Sequence, residues 1–138
     1  MDRTAPPGPE PASRLTAHDS GRNRSLGARG EDIAAEYLAS LGYRLLDRNW
    51  RSGRAGELDL VLLDGGALVA VEVKTRSGTG YGHPLEAVTL SKARRLRRLL
   101  LAWVRERRPQ VDRLRIDAIG IVLRPDGEPA IHHLKGIA

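Results

Sequence analysis

The sequence predicts one domain of the α/β or α+β class with a mixed sheet. Three observations carry the prediction. Helical and strand periodicities alternate along the chain in the order α-β-β-β-α-β-β. Two very apolar strand-like segments, Glu57 to Leu63 and Ala67 to Lys74, are joined at Asp64-Gly65-Gly66, a hairpin signal. The chain has 138 residues, one domain's worth, which is enough to bury a core.

Residues 1–24 are polar and Pro-rich and are expected to be a disordered tail, leaving 25–138 as the domain. Order is expected from near Leu26. Ile33, Ala34, Tyr37, Leu38 and Leu41 recur at helical spacing, and Gly42 suits a C-cap. Tyr43 to Trp50 reads as a short strand and Arg51 to Ala55 as a polar loop. The hairpin follows, then a Gly-rich loop from Thr75 to Pro84. Thr89 to about Arg107 is a long helix with Leu96, Leu99, Leu100, Trp103 and Val104 on its apolar side, and Pro109 lies past its end. Leu114 to Leu123 is a strand, Arg124-Pro125-Asp126-Gly127 a turn, and Pro129 to Leu134 a last strand.

Composition excludes several classes. No apolar run approaches the ~20 residues of a membrane-spanning helix, so no membrane partner is expected. The N-terminus has no apolar stretch of the kind a secretory signal needs. Cysteine is absent, which removes disulfides, thiolate metal sites and cysteine nucleophiles. The expected location is cytoplasmic. The net charge of +6 suggests a polyanionic partner. Because 20 of the 23 basic residues are Arg, the three lysines (Lys74, Lys92 and Lys135) are the more informative cations.

Acids interrupt the two hairpin strands. Strand side chains alternate faces, so Glu57 and Asp59 share one face, as do Glu72 and Lys74. Leu58, Leu60 and Leu62, with Val69, Val71 and Val73, are expected to form the core faces. A two-residue turn at Gly65-Gly66 sets Asp64 opposite Ala67, which brings Asp59 opposite Glu72 and Glu57 opposite Lys74. Directly opposed carboxylates repel. Either a hard divalent cation such as Mg²⁺ sits between Asp59 and Glu72, or Lys74 and a nearby arginine neutralise them as a surface network. Glu31 is a further candidate, with a competing role: acids at a helix N-terminus, here Glu31 and Asp32, stabilise the helix dipole. A cation held by Asp59 and Glu72 would polarise a phosphoryl oxygen and acidify a bound water, which is the chemistry of phosphodiester hydrolysis. Lys74 would orient the water or stabilise charge on the phosphorane.

This pattern resembles the PD-(D/E)xK nuclease core. More specifically, Gly27 to about Leu134 resembles the YraN-type family of bacterial proteins, regarded as distant relatives of archaeal Holliday junction resolvases. The segments that carry the resemblance are Gly27-Ala28-Arg29-Gly30-Glu31, Tyr37-Leu38, Gly42-Tyr43, Gly56-Glu57-Leu58-Asp59-Leu60 and Val71-Glu72-Val73-Lys74-Thr75-Arg76. Gly82, Lys92, Arg95-Leu96 and Arg115-Ile116-Asp117 follow. Leu58 stands where the PD motif has Pro. The resemblance implies an α/β, restriction-endonuclease-like fold, a mixed central sheet flanked by helices. It also implies a DNA endonuclease activity dependent on Mg²⁺ (or Mn²⁺), with branched or structured DNA among its candidate substrates. Asp59 and Glu72 would be metal ligands, Lys74 the catalytic lysine, Glu31 a further catalytic acid and Glu57 a supporting one. A homodimer is expected by the same analogy, since paired cuts need two sites.

Residues 89–108 hold eight basic residues against Glu106, so the surplus is local to the second helix. Lys92, Arg94, Arg95 and Arg98, with Arg76, are the candidate phosphate contacts, and Lys92 is the one expected to face the site. A solvated helix face is the alternative. Gly78-Thr79-Gly80-Tyr81-Gly82 lacks the Gly-Lys-Ser/Thr ending of a phosphate loop and reads as a flexible loop over the site. His132-His133 has no partners at zinc spacing. Two rival functions stand beside the nuclease. One is a nucleic-acid-binding module that keeps the fold without catalysis. The other is an interaction protein whose basic helix docks on an acidic partner.

Overall fold

The computed structural model describes residues 19–78 and 82–138. Helix α1 (Asp19–Ser40) leads into strands β1 (Arg44–Arg51), β2 (Glu57–Asp64) and β3 (Ala67–Ser77). A short 3₁₀ turn (Pro84–Ala87) precedes helix α2 (Leu90–Arg107), and β4 (Arg113–Leu123) and β5 (Ala130–Leu134) close the chain. The order α-β-β-β-α-β-β is the one the sequence predicts. Most of the expected tail lies outside the described residues. Its final part, residues 19–24, is the first stretch of α1. Thr79 to Tyr81 of the Gly-rich loop also lie outside them.

The five strands form one sheet in sequential order. β1, β2 and β3 pair antiparallel, β3 and β4 pair parallel, and β4 and β5 pair antiparallel, so the sheet is mixed. The parallel step requires a crossover, which α2 supplies. Thr89 caps α2: its hydroxyl accepts from the Lys92 backbone N–H at 3.2 Å. Arg108, at φ 49°, ends it in the left-handed region.

Two cores sit on opposite faces of the sheet. Ala34 and Leu38 of α1 pack on Leu60, Leu62, Val69, Val71, Val73, Ile119 and Ile121. Leu96, Leu99, Leu100 and Trp103 of α2 pack on Leu58, Val61, Leu68, Ala70 and Ile116. Burial on both faces explains why β2 and β3 read as nearly continuous apolar runs. Each leucine removed from water contributes roughly 1.5–3 kcal/mol, which is what holds the two helices down.

Two polar ties set the helices' positions. Asp47 of β1 accepts from the Trp103 indole N–H at 3.0 Å and from Arg107 at 3.0 Å, fixing α2. On the α1 face, Asp117 is wholly buried among Arg115 (2.9 Å), His133 Nε2 (2.9 Å) and the Gly136 backbone N–H (3.0 Å). Tyr37 of α1 reaches His133 Nδ1 at 3.2 Å and extends this network to the helix. Asp117 and His133 therefore serve a buried structural cluster.

Candidate metal and nucleic-acid site

The β2–β3 hairpin has the predicted register, from Asp64↔Ala67 to Leu60↔Val71. The ladder stops there, so the expected Asp59–Glu72 and Glu57–Lys74 rungs do not form. Asp59 takes no further rung; its Oδ2 accepts a hydrogen bond from the Val73 backbone N–H at 2.9 Å. On its other side β2 pairs Leu60 with Arg48 and Leu58 with Trp50, and the intervening Asn49 and Asp59 form no pair. Leu58 lies in the core under α2, whereas Leu60 and Leu62 lie in the core under α1. The expectation that these three leucines share a face is corrected. Alternation breaks at Asp59 although the β1–β2 register is the same on either side of it; the register shift along that pair lies between Leu45 and Asp47.

The break gathers acids. Asp59 is half-buried, and burial is the largest influence raising its pKa, to about 8. The neighbouring charges of Glu72, Glu31 and Glu57 push it the same way, against the Val73 N–H. Lys74 Nζ lies 3.5 Å from Glu72 Oε2, with 29 % and 14 % of the two side chains exposed. Glu31 sits on α1. Burial raises its pKa too, opposed by a hydrogen bond from Asn49 Nδ2 (3.1 Å) and by Arg48 at 3.6 Å. Arg48 also pairs with Asp32 at 2.9 Å. Glu57 pairs with Arg51 at 3.6 Å on a more open rim and contributes its charge to Asp59 and Glu31.

Gly30 explains how α1 brings Glu31 so close. A Cβ there would land on Thr75 Oγ1, so only glycine lets the helix approach β3 at this point. Among the described residues the Thr75 hydroxyl, which is buried, has no hydrogen-bond partner.

Glu31, Glu57, Asp59, Glu72 and Lys74 are thus brought to one place. Among the described residues no ion pair or hydrogen bond joins the proposed phosphate contacts to those acids. Arg94, Arg95 and Arg98 lie exposed on α2, whose Ala93, Leu96 and Leu99 turn to the sheet. Lys92 is half-buried in the first turn of α2 and forms no ion pair among the described residues. Arg76 is half-buried and donates to the Thr75 carbonyl at 3.3 Å. The sequence reading missed Arg48 and Asn49, which hold Glu31 from β1. Their only signal was composition: Asn is among the few residues that tolerate the left-handed region.

The donor set can be tested for a metal. Among the described residues, no three His, Asp or Glu side chains are gathered closely enough to enclose an ion. Mg²⁺ keeps several waters and is held by one or two carboxylates, and the Asp59–Glu72 pair meets that requirement. Asp59 and Glu72 are therefore the two acids that could hold a hydrated cation, with no protein cage among the described residues.

Residues 30–121 match the Uncharacterised protein family UPF0102, and the chain belongs to this family, also called the YraN family. The matched span runs from Gly30 through β4 and includes every residue of the acidic cluster. A UPF0102 protein of Rhodococcus opacus (strain B4) is 50 % identical over 113 residues, 82 % of this chain and 95 % of that one. One from Leifsonia xyli subsp. xyli is 53 % identical over 112 residues, 81 % of this chain and 94 % of its own. One from Nocardia farcinica is 44 % identical over 117 residues, covering 85 % and 91 %. Among the described residues no helix is long and apolar enough to cross a membrane.

Proposed function

We propose that this chain is a divalent-metal-dependent DNA endonuclease with a PD-(D/E)xK core, acting in the cytoplasm on DNA that includes branched or structured forms. One observation carries the reading. The Asp59 carboxyl is raised by burial and by Glu72, Glu31 and Glu57, with Lys74 3.5 Å from Glu72. Packing acids this way is costly unless a cation offsets it, and such perturbed groups mark functional sites.

Mg²⁺ or Mn²⁺, when bound, supplies positive charge to a phosphoryl oxygen and makes a water acidic enough to attack phosphorus. Asp59 and Glu72 are the residues that would hold it. The Val73 N–H fixes one oxygen of Asp59, which orients the other. Lys74, tethered by Glu72, presents a compact charge to the phosphate and stabilises the negative charge that builds on it. Glu31 adds a third carboxylate to the field. The exposed arginines of α2 hold the backbone of the substrate without reading its sequence. Paired cuts in a branched substrate would require two copies, so a homodimer belongs to this reading.

The test is cleavage of a labelled panel of single-stranded, duplex, flap and four-way-junction DNA, each with Mg²⁺, Mn²⁺ or EDTA. Metal-dependent cutting that is lost in Asp59→Ala and in Lys74→Ala supports the nuclease. A second reading, a nucleic-acid-binding module without catalysis, is favoured by the openness of the acidic cluster, in which no three ligands close on an ion. It predicts salt-dependent DNA binding that needs no metal and survives Asp59→Ala.

A further inference from the structure

Asn49 is the least ordinary residue near the acidic cluster. Its φ is 51°, one of only two non-glycine residues in the left-handed region among the described residues, and it lies within strand β1 rather than in a turn. The β1–β2 pairing skips it, opposite Asp59. Alternation breaks with it. Asp47 reaches Trp103 under α2, Arg48 reaches Glu31 and Asp32 on α1, and Trp50 packs again under α2. A regular strand would send Asn49 to the α2 face with Asp47. Instead its Nδ2 donates to Glu31 Oε1 at 3.1 Å. Two consecutive side chains, Arg48 and Asn49, therefore converge on one carboxylate from the same strand. Strained backbone kept at such a place has a use in holding something.

We propose that Asn49 is a positioning residue, which fixes the Glu31 carboxylate toward the Asp59–Glu72 pair and thereby sets the affinity of that pair for a divalent cation. The inference rests on the metal reading above and adds to it a residue on β1. Chemistry constrains the contact. A carboxylate can only accept, so the amide nitrogen must face it. Both contacts to Glu31, from Asn49 and Arg48, fall on Oε1. Glu31 is held through one oxygen, by an asparagine that itself lies opposite Asp59 in the β1–β2 register. Groups that orient a site's carboxylates commonly alter metal affinity or activity by roughly 10–100-fold when removed.

The test is Mn²⁺ binding by titration calorimetry to the full chain, without DNA, in wild type, Asn49→Gly, Asn49→Asp, Glu31→Gln and the Asn49→Gly/Glu31→Gln double variant. Glycine adopts the left-handed conformation without strain, so it deletes the amide and spares the backbone. Asparagine to aspartate keeps the shape but places a carboxylate against Glu31. We expect Asn49→Gly to weaken binding about tenfold or more, as Glu31→Gln does, with the double variant no weaker than either single one. Asn49→Asp should weaken it likewise, and all variants should unfold cooperatively. Unchanged affinity in Asn49→Gly, or additive losses in the double variant, overturns the positioning role while leaving the metal site standing. A wild type that binds no Mn²⁺ overturns the metal reading itself, and the role of Asn49 with it.

Discussion

Asp59 Oδ2 accepts the Val73 backbone N–H at 2.9 Å, in the place where the next rung of the β2–β3 ladder would fall. A side chain has replaced a backbone partner. That exchange keeps the Val73 N–H satisfied while β2 turns its carboxylate out of the pleat toward Glu72 and Glu31.

The first prediction concerns pH. The folded pKa of Asp59 is raised to about 8, so the folded chain holds a proton that the unfolded chain gives up near 4. The contribution of Asp59 to stability is therefore fully present below about pH 4 and declines as pH rises toward 8. Asp59→Asn removes the charge and keeps an acceptor for Val73. Its melting temperature should exceed that of wild type at pH 8 by clearly more than at pH 5. Equal offsets at both values would show that Asp59 ionises normally.

Metal addition makes a linked prediction. A cation that binds the Asp59–Glu72 pair in the folded chain stabilises it by about 2.7 kcal/mol at a hundredfold excess over Kd. Mg²⁺ should raise the wild-type melting temperature more at pH 8 than at pH 5, since the cation competes with the proton for Asp59. Asp59→Asn and Glu72→Gln should lose most of that gain. Thermal scans with Mg²⁺ and with EDTA measure it.

Gly30 and Thr75 form a close contact between α1 and β3, and the contact can be broken from either side. Gly30→Ala places a methyl on the Thr75 side chain and should cost about 1–3 kcal/mol through overpacking. Thr75→Val removes the buried, partnerless hydroxyl and keeps the shape, so it should be neutral or stabilising by about 1 kcal/mol. Denaturant unfolding of the two variants gives both numbers. A Gly30→Ala protein as stable as wild type would mean that α1 can lift off β3 freely.

Asp117 anchors the buried network on the α1 face. Burial opposes its charge, but Arg115, His133 and the Gly136 N–H together hold its pKa below the usual carboxylate range. Its stabilisation is present above the ordinary carboxylate pKa and is lost as pH falls through the lower folded value. Asp117→Ala leaves Arg115 without its main partner and should cost about 3–5 kcal/mol at neutral pH. A loss below about 1 kcal/mol would mean that Asp64 alone, at 2.9 Å from Arg115, suffices.

The exposed arginines of α2 make a prediction about salt. Replacing Arg94, Arg95 and Arg98 by Ala should weaken DNA binding without regard to sequence. The slope of log K against log salt should become shallower by about one for each phosphate that the variant no longer neutralises. Affinity measured at several salt concentrations reads both effects. An unchanged slope would place the phosphate-binding residues elsewhere.

Much of this molecule is legible in its sequence. The element order follows from periodicity, and the hairpin register follows from a two-residue turn because Gly65 and Gly66 leave no slack. Glu72 and Lys74 share a face, as simple alternation requires. What the sequence hides is contingent on neighbouring strands and helices. Leu58 and Leu60 lie in different cores because alternation breaks at Asp59, opposite Asn49, whose left-handed conformation on the neighbouring strand the sequence does not announce. Glu31 approaches the site because Gly30 meets Thr75 some 45 positions away. Asp117 reads as an acid of uncertain duty until Arg115, His133 and Gly136 close around it. Helix α1 extends back to Asp19 through Ser, Gly and Arg residues that carry no apolar stripe to announce it.

The most direct test of the account is cleavage of a four-way-junction and a duplex DNA by wild type and Asp59→Asn, in Mg²⁺ and in EDTA. The account predicts cutting by wild type in Mg²⁺ alone, and none by Asp59→Asn, which folds at least as stably at pH 8. Cutting that persists in EDTA or in Asp59→Asn, or wild type that binds DNA in Mg²⁺ and never cuts it, would contradict the account.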